Sequence, residues 1–161
     1  MDFYQPEDIE RIILRSARLL KIEVQPEAIK IIAQAARATP RVANRLLKRA
    51  RDFAQVKGDG AITGNLAKEA MAMLEVDELG LEPLDRQILL LLIEKFGGGP
   101  AGLQALAAAT SEEQDTLEDI YEPYLMQLGF IMRTSRGRVA TRQAYEHLGL
   151  KYPDSAQNKL L

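Results

Sequence analysis

The sequence has no cysteine, and this absence removes several kinds of chemistry. Its 161 residues also include no tryptophan and one histidine, His147. Without cysteine, the chain has no disulfide bond, no cysteine-ligated zinc site and no thiol that could act as a nucleophile. A single histidine argues against a histidine-based metal site, so we interpret His147 as a structural residue near a helix end.

Long apolar runs are missing too. The longest, from Ile88 to Ile93, is far shorter than the ~20 apolar residues that span a bilayer. No N-terminal apolar segment precedes a small-residue cleavage site. Hydrophobic residues make up 47% and charged residues 27% of the chain, as in ordinary globular proteins. We therefore expect a cytoplasmic protein with no membrane partner.

The sequence also lacks a phosphate-cradling loop. Gly97, Gly98 and Gly99 stand together, but the lysine and the serine or threonine of such a loop do not follow them. We interpret these glycines as a turn. An intact site for nucleotide hydrolysis is therefore not expected within this chain.

Negative charge predominates slightly, with a formal net charge of −2, but the charges are segregated. From Arg37 to Lys57 there are seven basic residues and one acidic residue. From Glu112 to Glu122 there are six acidic residues and no basic one. From Phe130 to Arg142 there are four basic residues and no acidic one. Local patches of this kind decide which partners a protein attracts.

The first half of the sequence predicts four helices. Pro6, Pro26 and Pro40 each occupy the early position that proline favours, and Thr63 is a candidate cap for a fourth helix. We expect the second helix to reach about Arg37, the third to end at the glycines near residue 58, and the fourth to reach about residue 74. Thr39 is the expected N-cap of the third helix. The apolar face of that helix comprises Val42, Leu46, Ala50 and Phe53, and its basic face comprises Arg41, Arg45, Lys48 and Arg49.

An acidic connector at residues 75–83 separates the halves, and we place a domain boundary near residue 80. Beyond it we expect helices at 84–95, at 103–109 and from Ser111 onward, the last with a kink at Pro123 and an end at Gly129. The apolar stripe of that last helix comprises Leu117, Ile120, Tyr121, Tyr124, Leu125 and Leu128. Two short strands, 130–133 and 138–140, then flank a tight turn with glycine, and a final helix begins near Thr141. Three helices followed by a hairpin predict a winged helix-turn-helix domain.

Two groups of residues could bind phosphate. Arg41 lies in the first turn of the third helix, where backbone N–H groups also point outward. Arg133, Arg136 and Arg138 surround the hairpin turn with no acidic residue nearby in the sequence. For Arg41 a solvated helix face remains an alternative. For the hairpin the alternative is a soluble edge, since charge also protects strand edges from aggregation. The acidic residues at 112–122 argue against insertion of that helix into DNA and favour contact with a protein.

Seven stretches resemble the RuvB family of Holliday junction branch-migration motors. They are DFYQPE (2–7), TPRVANRLL (39–47), RARDFAQV (49–56), VDELGL (76–81), EKFGGGP (94–100), EPYLMQLGF (122–130) and RTSRGRVAT (133–141). The resemblance implies a mainly α chain: the helical lid of an AAA+ ATPase, a four-helix bundle, at residues 1–78, and a DNA-binding winged helix at 79–150. Residues 151–161 are expected to be a disordered tail.

The resemblance also implies roles. Arg41 corresponds to the sensor arginine that reaches the nucleotide phosphates, while Tyr4 and Pro40 lie near the adenine. The hairpin arginines are expected to contact DNA. The complete motor would use ATP with Mg²⁺ as a hexameric helicase in recombination, repair and the SOS response. Its partners would be the duplex arms of Holliday junctions, the junction-binding protein RuvA and the resolvase RuvC. The ATPase core would precede Met1, so this chain alone should not hydrolyse ATP.

Two positions depart from the family pattern. Ala38 stands where we expect glycine, and Ser135 stands where we expect proline in the hairpin turn, which predicts a less rigid turn. Two alternatives of other classes remain open at this point. One is a winged-helix transcriptional regulator with a helical N-terminal domain, which would bind specific sequences through its second turn helix. The other is a protein-interaction module of a clamp-loader-like assembly.

Overall fold

The computed structural model describes residues 4–154. The chain divides into two compact units, residues 1–82 and 83–161. The acidic connector at 75–83 spans the point of division. The expected disordered tail lies largely at 155–161, outside the described residues.

The first unit is the predicted four-helix bundle. Its helices are α1 (Pro6–Leu19), α2 (Pro26–Ala35), α3 (Pro40–Lys57) and α4 (Gly64–Met73). The first three begin with proline, whose fixed φ suits the first helical turn and whose missing N–H costs nothing there. A parallel bridge between Val24 and Ile62 ties the loop before α2 to the loop before α4.

The core of this unit lies between the apolar faces of the four helices. Fully buried side chains include Ile9 and Ile13 of α1, Ile32 of α2 and Leu47 of α3. Helix α2 packs mainly on α4, and α1 packs on α3. The basic residues predicted for the outer face of α3 are all exposed, which confirms the orientation inferred from helical spacing.

The connection between α2 and α3 differs from expectation. Helix α2 ends at Ala35 because Arg37 and Ala38 both adopt left-handed backbone, with φ of 57° and 52°. Thr39 occupies the N-cap position, but its hydroxyl donates to the carbonyl oxygen of Arg37 at 2.9 Å and does not cap the helix. By contrast, the Thr63 hydroxyl accepts from the backbone N–H of Leu66 at 3.2 Å.

The second unit is the predicted winged helix. It contains α5 (Pro83–Glu94), α6 (Leu103–Thr110), α7 (Gln114–Thr116), a π-helical turn (Leu117–Tyr121) and α8 (Glu122–Gln127), and then strands β1 (Ile131–Thr134) and β2 (Gly137–Ala140) and helix α9 (Arg142–His147). Ser111 does not start a helix: with φ of 58° it ends α6, and α7 begins at Gln114.

The π-helical turn corrects the predicted apolar stripe. A turn of this kind holds one residue more than an α-helical turn, so side chains after it change face. Leu117 and Leu125 are buried as expected, but Ile120 is 59% exposed. The turn ends two residues before Pro123, the position of the expected kink. The proline ring has no N–H for the α-helical hydrogen bond, and a π turn is a common response to that loss.

We call the hairpin (residues 131–140) the wing. Besides the pairing of its two strands, it forms a backbone bridge to Ala101 that the sequence did not reveal. Ala101 exchanges two backbone hydrogen bonds with Arg138, at 2.9 and 2.8 Å. Glycine allows this approach: a Cβ on Gly99 would meet the Arg138 carbonyl oxygen at 2.3 Å, and one on Gly137 would meet the Ala101 carbonyl oxygen at 2.4 Å. The glycines at 97–99 therefore form the expected turn and also admit the wing. Within residues 4–154, no helix has the length and hydropathy to cross a membrane.

Candidate functional site: the start of helix α3 and the wing

The start of helix α3 presents positive charge to solvent. Arg41 is exposed in its first turn and has no ion pair with any described residue. The first helical hydrogen bond of the turn runs from the N–H of Ala43 to the Thr39 carbonyl. The N–H groups of Arg41 and Val42 therefore lack an acceptor within the helix, as is usual at a helix start. Together with the guanidinium they can bind an anion.

The basic face of α3 is partly engaged elsewhere. Arg45 pairs with Glu82 at 2.9 Å, and Arg51 pairs with the adjacent Asp52 at 3.2 Å. Lys48 and Arg49, like Arg41, are exposed and have no ion pair among the described residues. The positive charge that remains available therefore lies at the start and outer side of α3.

Tyr4 and Pro40 lie in the same unit as Arg41. Tyr4 precedes α1 and is 50% exposed, while Pro40 is the half-buried first residue of α3. The Ser16 hydroxyl donates to the Asn44 side-chain oxygen at 2.6 Å and joins the two helices. Tyr4 and Pro40, the two residues expected to lie near the adenine, both keep some solvent exposure, and their roles stay predictions.

The wing has a two-residue tip. Its strands pair with Thr134 opposite Gly137, which leaves Ser135 and Arg136 in the turn. The Thr134 hydroxyl donates to the Gly137 carbonyl at 2.8 Å and accepts from the Arg136 N–H at 3.3 Å. The Arg136 side chain is exposed and has no ion pair within the described part of the chain.

The other two wing arginines bind a buried carboxylate. Glu122, 2% exposed, is the first residue of α8. Its Oε1 accepts from Arg138 Nε at 2.6 Å, and its Oε2 accepts from Arg133 Nη2 at 2.7 Å. Charge-assisted hydrogen bonds of this length are among the stronger ones in proteins, and both carboxylate oxygens are used.

A second carboxylate joins the group. Glu118 Oε1 lies 3.3 Å from Arg133 Nη2 and 3.7 Å from Arg138 Nη2. We call these four residues, Glu118, Glu122, Arg133 and Arg138, the wing ion cluster. The hydrogen bonds that Arg133 donates to Glu122 are the largest cause that raises the pKa of Arg133; burial opposes the rise, and the charges of both glutamates add to it.

The cluster brings acidic residues to the wing arginines that are distant from them in the sequence. Glu122 precedes Arg133 by 11 residues and Arg138 by 16. The sequence analysis assigned the acidic residues of 112–122 to a protein-facing surface and missed this pairing. Pro123 was the available signal, because it is where the sequence predicts an irregular helix; the π-helical turn just before Glu122 changes the register and turns Glu122 inward.

Comparison with known proteins connects both units to one family. The model of the RuvB AAA lid domain matches residues 4–77, and the model of the RuvB C-terminal winged helix domain matches residues 78–149. The chain belongs to the RuvB family. These matches disfavour the alternative of a transcriptional regulator.

Individual RuvB proteins agree with this assignment. The Holliday junction branch migration complex subunit RuvB of Chloroflexus aurantiacus is 57% identical over 152 residues, which cover 94% of this chain and 43% of the relative. The protein of the same name from Dehalococcoides mccartyi is 55% identical, with 99% and 46% covered. The chain thus spans less than half the length of these relatives.

Solved RuvB structures have the same fold. The Thermotoga maritima RuvB Holliday junction branch migration motor superposes with a TM-score of 0.91 at 45% identity, over 95% of this chain and 51% of that one. A mutant of the same protein gives a TM-score of 0.92 at 44% identity, over the same shares. The predicted mainly α architecture of lid and winged helix is confirmed.

Proposed function

We propose that this chain is the lid and the DNA-gripping winged helix of an ATP-driven motor for branch migration at Holliday junctions. One observation carries the proposal: models of the RuvB lid and the RuvB winged helix match the chain in order, from residue 4 to residue 149. Relatives that match nearly the whole chain are named as subunits of a Holliday junction branch migration complex.

The start of α3 has the chemistry to respond to ATP. Arg41 supplies a guanidinium, and the first turn supplies N–H groups that lack helical acceptors. Tyr4 and Pro40 would contact the adenine. When bound, ATP with Mg²⁺ would supply the phosphoryl bond whose cleavage drives the motor. Arg41 would bind the phosphates and would orient the lid according to the nucleotide present.

The wing would hold the DNA backbone. Arg136 at its tip is exposed and has no ion pair with a described residue, so it can bind a phosphate. One phosphate contact is weak and independent of sequence. A motor benefits from such a contact, because six weak grips in a ring hold through effective concentration while each one can release. The partners proposed on this basis are duplex junction arms and five further copies of the subunit; family membership adds RuvA and RuvC to the proposal.

Branch migration of a four-way junction tests the proposal. The chain would be joined behind the N-terminal portion of the Chloroflexus aurantiacus relative, which is 57% identical to it over the shared region. We expect this chimera to migrate junctions with ATP, and Arg41→Ala to abolish turnover while DNA binding remains. Arg136→Ala should weaken DNA binding equally on unrelated sequences.

Arg15→Ala is the matched control, since Arg15 is an exposed arginine of α1 outside both sites. It should behave as the parent chimera does. A chimera that folds, binds ATP and still fails to move junctions would contradict the proposal. An absence of salt-dependent DNA binding would favour the protein-interaction module.

A further inference from the structure

We propose that the acidic connector (residues 75–83) transmits the position of the start of α3 to the winged helix, with Gly80 and Glu82 as its positioning residues. This inference rests on the proposed function, because it concerns how a nucleotide bound at Arg41 would act on DNA. Gly80 and Glu82 hold the connector on the lid, and we expect neither of them to touch nucleotide or DNA.

The connector has a folded structure of its own. The Asp77 carboxylate accepts hydrogen bonds from the backbone N–H groups of Leu79 and Leu81, both at 2.9 Å. The Asp77 N–H donates to the Leu81 carbonyl at 3.1 Å, and the Gly80 N–H donates to the Asp77 carbonyl at 3.0 Å. Val76 packs against the core of the first unit. The segment from Val76 to Leu81 is therefore a defined turn attached to the lid and does not act as a flexible linker.

Gly80 attaches the connector to the residues just before α3. Its φ is 79°, and a Cβ at this position would lie 2.6 Å from the Ala35 carbonyl oxygen and 3.0 Å from Cγ of Arg37. Glycine has no Cβ, so it allows the two segments to come this close. Ala35 is the last residue of α2, and Arg37 is the first of two left-handed residues that lead into α3. The connector therefore lies against the joint from which α3 starts.

Glu82 attaches the connector to α3 itself. Its Oε1 accepts a hydrogen bond from Arg45 Nη2 at 2.9 Å, and the side chains of Glu82 and Arg45 are 32% and 57% exposed. Arg45 follows Arg41 by four residues, so both arginines lie on the same side of α3. An ion pair this exposed adds little to the stability of the fold. Its contribution is to fix the place where the connector leaves the lid.

The two attachments lie on either side of Arg41 along the chain. Gly80 lies against residues 35 and 37, and Glu82 binds residue 45. The connector therefore holds both ends of the stretch that would respond to a bound phosphate. Pro83 follows Glu82 directly and is the first residue of α5 in the second unit. A shift of the start of α3 would thus move the chain at the point where the winged helix begins.

The number of junctions migrated per ATP hydrolysed by the chimera tests this role. Glu82→Gln keeps the size of the side chain but removes its charge, and it should lower this ratio by up to about five-fold, the most that the loss of one exposed ion pair explains. ATP turnover and duplex affinity should stay as in the parent chimera. Glu78→Gln is the matched control, because Glu78 is an exposed glutamate of the same connector. It should leave the ratio unchanged.

A double-mutant cycle shows whether Glu82 acts through Arg45. Arg45→Gln alone should also lower the ratio of junctions migrated to ATP hydrolysed. The double variant should not fall below the lower of the two single variants, since both substitutions remove the same contact. Losses that multiply in the double variant would mean that the two residues act independently, and they would overturn the proposed link between the connector and α3.

Hydrogen exchange of the whole chain tests the attachment at Gly80 without nucleotide or DNA. Gly80→Ala should speed exchange at the Leu81 amide by about five-fold or more, because the added Cβ meets the Ala35 carbonyl and displaces the connector. Gly60→Ala is the matched control: Gly60 has φ of 95°, but no neighbour lies within 4 Å of the added Cβ. It should leave the Leu81 amide unchanged. If circular dichroism shows that Gly80→Ala unfolds the chain, the Glu82 cycle decides.

The outcomes separate this inference from the proposed function. An unchanged ratio in Glu82→Gln, or a ratio that falls only together with ATP turnover, overturns the positioning role. Equal exchange at Leu81 in Gly80→Ala and Gly60→Ala overturns the attachment to the joint before α3. A parent chimera that hydrolyses ATP but does not move junctions contradicts the proposed function instead, and exchange at Leu81 then decides whether the connector is fixed to the lid.

Discussion

At the scale of single residues, the backbone conformation before α3 shows why the family pattern has glycine at position 38. Ala38 stands where glycine is expected, and its φ is 52°. In this left-handed region a Cβ approaches the following carbonyl oxygen, at a cost of roughly 1–2 kcal/mol, and glycine avoids that cost. The chain therefore retains strain three residues before Arg41, in the segment that aims the proposed sensor.

Ala38→Gly should increase the free energy of unfolding by about 0.5–1 kcal/mol, since the relief of strain exceeds the added entropy of the unfolded chain. Urea denaturation of the whole chain measures it. The matched control is Ala72→Gly, at an exposed right-handed helical position of α4, which should lose about 1 kcal/mol. Equal losses in both variants would show that no such strain exists.

At the scale of secondary-structure elements, the π-helical turn sets which side of the segment 114–127 is buried. A continuous α-helix would place Leu117 and Ile120 in the core together, being three residues apart. The turn buries Leu117, 1% exposed, and leaves Ile120 59% exposed. The same change of face turns Glu122 inward, so this irregular turn underlies the wing ion cluster.

Alanine substitutions test the register. Leu117→Ala should destabilise the chain by about 2–5 kcal/mol, as is usual for buried leucines. Ile120→Ala should change the free energy of unfolding by no more than about 0.5 kcal/mol, as for exposed sites. Chemical denaturation compares the two. Similar large losses at both positions would indicate a regular helix without the π turn.

The wing depends on Gly137 as well as on Gly99. Gly137 has φ of 138°, and a Cβ there would lie 2.4 Å from the Ala101 carbonyl oxygen. That oxygen accepts a hydrogen bond from the Arg138 N–H. A side chain at Gly137 would therefore push the hairpin away from Ala101 and break the antiparallel bridge between Ala101 and Arg138.

Gly137→Ala should lower the free energy of unfolding by at least the roughly 1–3 kcal/mol of a strained backbone, because a clash with the Ala101 carbonyl adds to the strain. It should also speed hydrogen exchange at the Arg138 amide. Gly149→Ala is the control, because Gly149 has φ of 69° but no neighbour within 4 Å of the added Cβ. Unchanged exchange at Arg138 in Gly137→Ala would show that the contact with Ala101 does not hold the wing.

At the scale of the whole molecule, the overall charge gives little guidance to function. The net charge of −2 results from a basic α3, an acidic segment at 112–122 and a basic wing. Part of that acidic charge is cancelled inside the second unit by wing arginines. Exposed positive charge remains at the start of α3 and at the wing tip, the two places where the proposed function needs it.

The division into two compact units predicts that each folds alone. Residues 1–82 and 83–161, produced separately, should each unfold cooperatively, with the modest stability expected of small domains. Residues 83–161 should bind duplex DNA with the same salt slope as the whole chain, as measured by anisotropy. If residues 1–82 carried the salt-dependent binding, the wing would not be the principal DNA contact.

The sequence by itself determined the helices of the lid, the exposed basic face of α3 and the hairpin of the wing. Proline, glycine and apolar spacing act over three or four residues, so their effects can be predicted from neighbouring positions in the sequence. The tertiary structure alone decided the pairing of Glu122 with two wing arginines and the contact of Ala101 with Arg138. Those partners are 11 to 37 residues apart, so their meeting depends on the path of the folded chain. Charge in a sequence shows what is present, and only folding shows which charges cancel.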